Sequence, residues 1–500
     1  MQRGSLKRFA WAACTSGLLL FTAWGLAARE PARQGLDPAD APPRTLQGGG
    51  LSVGPDVTII DLFDINNYTS GGGSPCPPGY GNGGESCRGY SVGTNSCNVG
   101  TVPLDWCDQT SSCRTTTDSY HPLAPATVSD HSVIAQNLYR LKDGRFTQIG
   151  ASFLKHGFLS TNSSDFDCAW NDGGSPNTSC VFPPAGDDQL GVGCTDFYDA
   201  NLNGSRPLGR RSQVQVAGAD HPENPAGGEI DDGYDQRIVV AQSDLDPAKN
   251  AGALYWIEGH YVVRDDARAG NGLNNASHRR ATIGSLPQLH IDLTGPTIRE
   301  QPAIFAWQSV DPDVDILAVD KQTSFAGEEA DPPIPAGTFY PNYIVTERFY
   351  VARKVTLVAG ATPYHYEYAI YNLNSDTSAD SFVVDLGESA TIAGAGFHNL
   401  PHHSGEPYDT SDWTVDVDEL DGTVTWTAVD MGGDTNALRW GYTFSFWFDS
   451  DVGPNPANHV LGTFKDSGSL SVRFDDIVLA AIFLGDFESG NTSNWDASVP

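Results

Sequence analysis

Every cysteine after Cys14 lies between Cys76 and Cys194, and the 306 residues from Thr195 to Pro500 contain none. The eight are Cys76, Cys87, Cys97, Cys107, Cys113, Cys168, Cys180 and Cys194. An even set of cysteines behind a hydrophobic leader pairs in an oxidising compartment, whereas a cysteine-free stretch of that length has to be held by its own apolar core. The distribution therefore predicts a disulfide-stapled front and a self-supporting back. Four bridges are expected, with Cys168, Cys180 and Cys194 supplying at least one local one.

The leader carries Arg3, Lys7 and Arg8 ahead of an apolar run from Phe9 to Ala27 that closes in small residues. This three-part pattern predicts a secretory signal peptide over residues 1–28, cut near Ala27 or Ala28. Thr15, Ser16 and Thr22 weaken the run as an anchor, and the apolar run Ile477 to Leu484 is too short to cross a bilayer. No transmembrane segment is expected once the leader is removed. Its removal leaves 26 basic against 62 acidic residues, a net charge of −36. A field of that sign repels phosphate backbones and anionic membranes, so nucleic acid is excluded as a partner. Carboxylates in such number read first as a solvated surface, and calcium is the cofactor they would take.

Residues 29–50 are rich in Pro, Ala and Gly and have only Leu36 and Leu46 to bury, which predicts a flexible linker. A cysteine-rich domain is expected over 51–212. Its stretch from Asn66 to Ser119 is mostly Gly, Ser, Thr, Asn, Pro and Cys, so disulfides should replace packing there. One short helix is expected next: Asp130 is placed as N-cap, and Val133, Ile134, Asn137, Leu138 and Leu141 recur at helical spacing. It should stop at the turn dipeptide Asp143-Gly144, after which RFTQIGASF reads as a strand.

Strands dominate from about Val214: 253–263, 343–358, 364–372, 380–386, 423–429 and 437–449. In the last, Leu438, Trp440, Tyr442, Phe444, Phe446 and Phe448 alternate onto one face. Many short alternating strands with Gly, Asp or Pro between them predict a mainly β fold, an antiparallel sandwich or a pair of them over 213–484. The aromatic stripe reads as core, with a sugar-stacking platform as the rival. Residues 485–500 offer only Phe487 and Trp495 as large apolar groups and read as a tail outside the core.

The closing GDFESGNTSNW of residues 485–495 resembles a C-terminal tail, D-G-F-E-S-G-x-x-S-x-W, carried by many otherwise unrelated exported bacterial proteins; Gly485 and Asp486 stand in exchanged order. Across roughly Leu51 to Asp475, segments such as SCNVGTVPLDW (96–106), HSVIAQNLYRLKDGRFTQIGASFLKHGF (131–158), LGVGCTDFYDANLNG (190–204), YHYEYAIYNLNSD (364–376), FHNLPHHSGEPYDTSDW (397–413) and NALRWG (436–441) resemble a family of secreted bacterial proteins with no assigned activity. The resemblance implies export and a recurring architecture, and it supplies no catalytic residues to carry over. The tail would then be an address or attachment element.

Four sets of residues carry chemistry on paper. Tyr139, Arg140, Arg145, Lys155 and His156 form a basic island, which a uronate polysaccharide lyase would use as carboxylate clamp and proton-abstracting base. His398, His402, His403, Glu406 and Asp409 have metal-ligand chemistry but no zinc spacing, and read first as a hydrogen-bonded loop. The acidic triplets Asp311, Asp313, Asp315 and Asp416, Asp418, Asp421 fail the EF-hand pattern and leave only single calcium sites. Gly89-Tyr90-Ser91-Val92-Gly93 spells a nucleophile elbow but lacks its strand-to-helix setting. No H-E-x-x-H, C-x-x-C or phosphate-binding glycine loop occurs. The sequence is read as a secreted or cell-surface bacterial protein without identifiable catalytic machinery, in a structural or binding role toward polysaccharide or another surface component. The alternatives are a lyase or other carbohydrate-active enzyme on an anionic polysaccharide, and a carbohydrate-binding protein.

Overall fold

A computed structural model describes residues 53–474 apart from 69–72, 77–83, 107–130, 158, 165–167, 169–179, 185, 206–207, 220–235, 326–342, 402–405 and 455–458. Contacts divide the chain into Met1–Arg44 and Thr45–Pro500, and all described residues lie in the second unit.

The fold is mainly β, with every strand pairing antiparallel, and its four main sheets interleave along the chain, the first with the second and the third with the fourth. The first sheet centres on Ser86–Asn98, flanked by Val57–Asn67 and Ile238–Ala241. The second runs Leu208–Gly209, Leu154–His156, Val133–Lys142, Leu254–Val262, Ala276–Ile283 and Ile291–Ile298, with Arg145–Ala151 also on Val133–Lys142. The third runs Asp315–Phe325, Tyr343–Leu357, Tyr364–Asn372, Thr443–Ser450 and Ile392–His398. The fourth runs Thr414–Asp418, Thr423–Thr427, Ala379–Asp385, His459–Thr463 and Ser469–Val472.

The apolar faces stack these sheets in order. Val57, Ile59, Leu62, Tyr90 and Val92 of the first meet Ile134, Leu138, Ile257 and Tyr261 of the second. Phe349, Val351, Tyr366, Tyr368, Phe444, Phe446 and Phe448 of the third meet Phe382, Val384, Val424, Trp426 and Leu461 of the fourth. Between the two sandwiches, Tyr139, Phe146 and Trp256 pack on Tyr350, Ala352, Ala369 and Tyr371 around Trp307 of the helix Ile304–Val310. The second sheet is therefore apolar on both faces, as a strand layer buried on both sides has to be. It draws strands from either side of position 212, so the boundary expected there runs through a sheet.

The helix expected over 130–141 is a strand, Val133–Lys142, hydrogen-bonded along its length to Leu254–Val262; Asp130 itself lies outside the described residues. Ile134 and Leu138 enter one core while Tyr139 and Leu141 enter another. A strand that buries both faces has apolar residues at odd and even positions, and that run imitates helical spacing. The turn after it holds: Asp143 and Gly144 both have positive φ, 52° and 85°, and join Lys142 to Arg145 as a two-residue hairpin. The cysteine-rich front does more packing than its composition suggests, since Ser86–Asn98 is buried almost throughout. The aromatic stripe is core, although its strand begins only at Thr443 and Trp440 packs in a separate cluster.

Disulfides join Cys76 to Cys87, Cys97 to Cys168 and Cys180 to Cys194. Cys107, Cys113, the run 477–484 and the tail lie outside the described residues.

Candidate functional site

The basic island does not converge. Side chains on a strand alternate between faces, so Tyr139 and Arg140 point apart. Tyr139 is fully buried and donates from Oη to Glu258 Oε1 at 3.1 Å, while Arg140 pairs with Asp244 at 2.8 Å and reaches Asn250 Oδ1 at 2.9 Å. Arg145 forms a bidentate pair with Glu367 of the third sheet, its closest contact being 2.7 Å. Lys155 and His156 sit at the far end of the strand, where His156 pairs in register with Val133, about 30 Å from the Lys142–Arg145 turn at ~3.4 Å per residue. Burial pushes the Lys155 ammonium down to about 8, and its Nζ donates to Ser205 O at 3.4 Å. His156 Nδ1 meets His131 Nε2 at 2.8 Å.

Where Arg145 lands, a polar cluster stands on the face of the third sheet that turns toward the second. His365 bridges Asp449, at 2.6 Å from Nδ1, and Glu367, at 2.9 Å from Nε2. Hydrogen bonding to Glu367, aided by Asp449, raises the imidazole above its ordinary value. The Arg145 guanidinium lies over the Trp447 ring, 3.4 Å from its centroid. Trp447 in turn crosses Gly396 of the neighbouring strand, where a Cβ would fall 2.2 Å from the ring. The arrangement is an alternation of charges, Arg145, Glu367, His365 and Asp449, with each group fixed by the next. It clasps the second sheet to the third and leaves neither imidazole nitrogen free for proton transfer.

Of the metal candidates, His402 and His403 lie outside the described residues. Both Glu406 oxygens accept backbone N–H groups, from Arg211 at 2.5 Å and Ser212 at 3.3 Å, and burial raises its carboxyl above the ordinary range. Asp409 accepts from Ser411 N, and His398 sits among Asp244, Arg140 and Arg145 with its imidazole lowered by burial. Asp311 pairs with Lys354 and Asp315 with Arg353, while Asp418 accepts the N–H groups of Leu420 and Asp421. Among the described residues, no three or more His, Cys, Asp or Glu side chains are grouped to hold a metal. Ser91 lies inside the strand Ser86–Asn98 with its hydroxyl donated to Ala200 O, so the elbow is absent.

A cleft of about 280 Å³ is lined by residues that include Arg211, Ser212, Asp376, Ser378, Tyr408, Asp434, Arg439, Trp440 and Lys465. Arg439 is clamped between rings, 3.7 Å from the Tyr408 centroid and 5.2 Å from that of Phe464, and its Nη2 donates to Gly433 O and Thr435 O. Arg211 is spent on Ser152 O, Gly441 O, Gln136 O and Asn137 Oδ1. At the rim, Lys465 pairs with Asp376 at 2.8 Å.

Sequence reasoning missed both assemblies. His365 and Glu367 were readable as the polar positions of Tyr-His-Tyr-Glu-Tyr, as were Trp447 and Asp449 beside Phe446 and Phe448. Nothing local marks the cleft, whose lining spans Arg211 to Lys465.

No family model and no curated protein matches the chain. Among solved structures, the C-terminal domain of the Streptococcus pyogenes antigen I/II-family protein AspA is similar over 85% of this chain and 100% of that one, at 8% identity and a TM-score of 0.16. A likeness that weak carries no inference about fold or function. Disulfides and a β-rich fold are compatible with an exported protein, and no described helix is long and apolar enough to cross a membrane.

Proposed function

We propose that this chain is an exported bacterial protein, released or held at the cell surface, that works by binding and not by catalysis. The observation that supports the reading is the disposition of its cations. Arg140 and Arg145, the groups a lyase would aim at a substrate carboxylate, are each committed to a carboxylate of the protein itself, and the bases Lys155 and His156 stand at the other end of the strand. A clamp already filled from within lends no stabilisation to a developing enolate. The disulfides and the acidic composition fit an oxidising, aqueous exterior.

The test has two arms. Fractionation of the producing cells should find the leader-free chain outside the cytoplasm, and finding it inside with free thiols overturns export. Incubation with a panel of uronate polysaccharides should release no ultraviolet-absorbing unsaturated product; release that is abolished by Arg145→Ala would replace the binding reading with the lyase.

A further inference from the structure

We propose that the cleft between Arg211 and Lys465 is a binding site for a single carboxylate-bearing sugar unit, isolated or at a chain end. This deepens the binding reading and rests on it.

The argument starts from charge. The chain carries a net −33 with its leader included, yet the cleft is lined by three cations against two carboxylates, Asp376 and Asp434; Lys465 already meets Asp376 and the Arg211 guanidinium is held inside the fold, which leaves Arg439 as the uncommitted charge. Five arginines are neutralised in place by a carboxylate: Arg140 by Asp244, Arg145 by Glu367, Arg279 by Asp61, Arg348 by Asp320 and Arg353 by Asp315. Arg439 is not. Its guanidinium has two carbonyls and two aromatic rings around it and no carboxylate within ion-pair distance among the described residues, and its Nε has no hydrogen-bond partner there. A buried cation without a counter-ion is costly unless an anion completes it. A ligand carboxylate does so.

The rest of the lining says what the carboxylate is attached to. Asp376 and Asp434 accept hydrogen bonds, Ser212 and Ser378 both give and accept them, and Tyr408 and Trp440 supply apolar ring surface. That combination suits a hydroxylated ring with polar edges and apolar faces. The same two aspartates repel a phosphate dianion, and the negative field of the whole chain opposes a long polyanion, whereas one singly charged unit meets mainly the local cations. A volume of about 280 Å³ holds one such unit, at the small end of ligand sites of roughly 300–1,000 Å³.

The experiment is isothermal titration of the full chain with D-glucuronate, D-glucose and inorganic phosphate. Glucuronate should bind, with glucose and phosphate each weaker by about tenfold or more, the worth of one well-placed charge contact. Lys465→Gln, at a side chain 45% exposed, should weaken glucuronate by about tenfold without moving the melting temperature. Arg439→Lys, which keeps the charge but loses the planar stacking, should weaken it further. Equal binding of glucose or phosphate, no binding of glucuronate, or binding unaffected by either variant overturns the site. These outcomes are distinct from failure of the binding reading, which would appear as product released from polymeric substrate.

Discussion

His365 sits between two carboxylates, so its charge contributes to stability only while it is protonated. Its folded value is raised, by Glu367 first. The contribution is therefore complete below the unfolded value of about 6.5 and is lost as pH rises through the folded one. Thermal melts of the wild type and His365→Gln should differ most near pH 5 and converge in mild alkali, with a gap of about 1 kcal/mol or less because the cluster is partly exposed. A gap that widens with pH would show His365 to act as a neutral spacer. Tyr139 presents the buried case. Its hydroxyl, the Asn137 amide and the Ala303 N–H all donate to Glu258, which is wholly inaccessible. Tyr139→Phe should lower stability by about 1–3 kcal/mol, the cost of leaving a buried acceptor short of a donor, read as a shift in urea midpoint with unchanged slope. Neither site was legible as a site. The sequence displays His365 and Glu367 only as polar beats in an aromatic strand, and their partners Arg145 and Asp449 come from distant segments.

At the scale of elements, strands that keep polar residues on one face for part of their length were readable, and the strand without that marker was not. Tyr343–Leu357 and Tyr364–Asn372 match the expected 343–358 and 364–372 nearly residue for residue, although both also lie between two cores, because Thr346, Arg348, Lys354, His365 and Glu367 keep a visible alternation among their aromatic and β-branched residues. Val133–Lys142 lies between two cores with apolar residues at odd and even positions through its first half, and so imitates helical spacing. The disulfides can be ranked by the loops they close. Cys97–Cys168 spans 71 residues and Cys76–Cys87 spans 11; chain entropy assigns them about 4 and about 3 kcal/mol. Replacing Cys97 and Cys168 together by serine should therefore lower the urea midpoint more than replacing Cys76 and Cys87, and the reverse order would mean that local packing around Cys87 outweighs loop closure. Gly396 makes a sharper case, since any side chain there meets the Trp447 ring. Gly396→Ala should destabilise by about 1–3 kcal/mol.

Across the whole molecule, the two sandwiches share the layer around Trp307, and the Arg145–Glu367 pair spans the same joint. An apolar joint of this kind couples the halves, so calorimetry should show one cooperative unfolding transition. Trp307→Ala removes the tryptophan around which the joint packs; it should cost about 3–5 kcal/mol and separate the transition into two. A single transition surviving that change would place the coupling in the hydrogen bonds from Arg211 and Gln148 to Gly441 instead.

The order of strands in the first two sheets sets a timetable for a chain made from its N-terminus. Val57–Asn67 and Ser86–Asn98 emerge early and can form their hairpin and the Cys76–Cys87 bridge at once. Thr195–Tyr198 joins their sheet next and Ile238–Ala241 completes it, and the layer that covers them is completed only by Ile291–Ile298. Some two hundred residues must therefore follow before the earliest strands are shielded. Non-local pairing of this kind is slow, and throughout that interval the chain depends on its first disulfide and its acidic charge to stay clear of its neighbours.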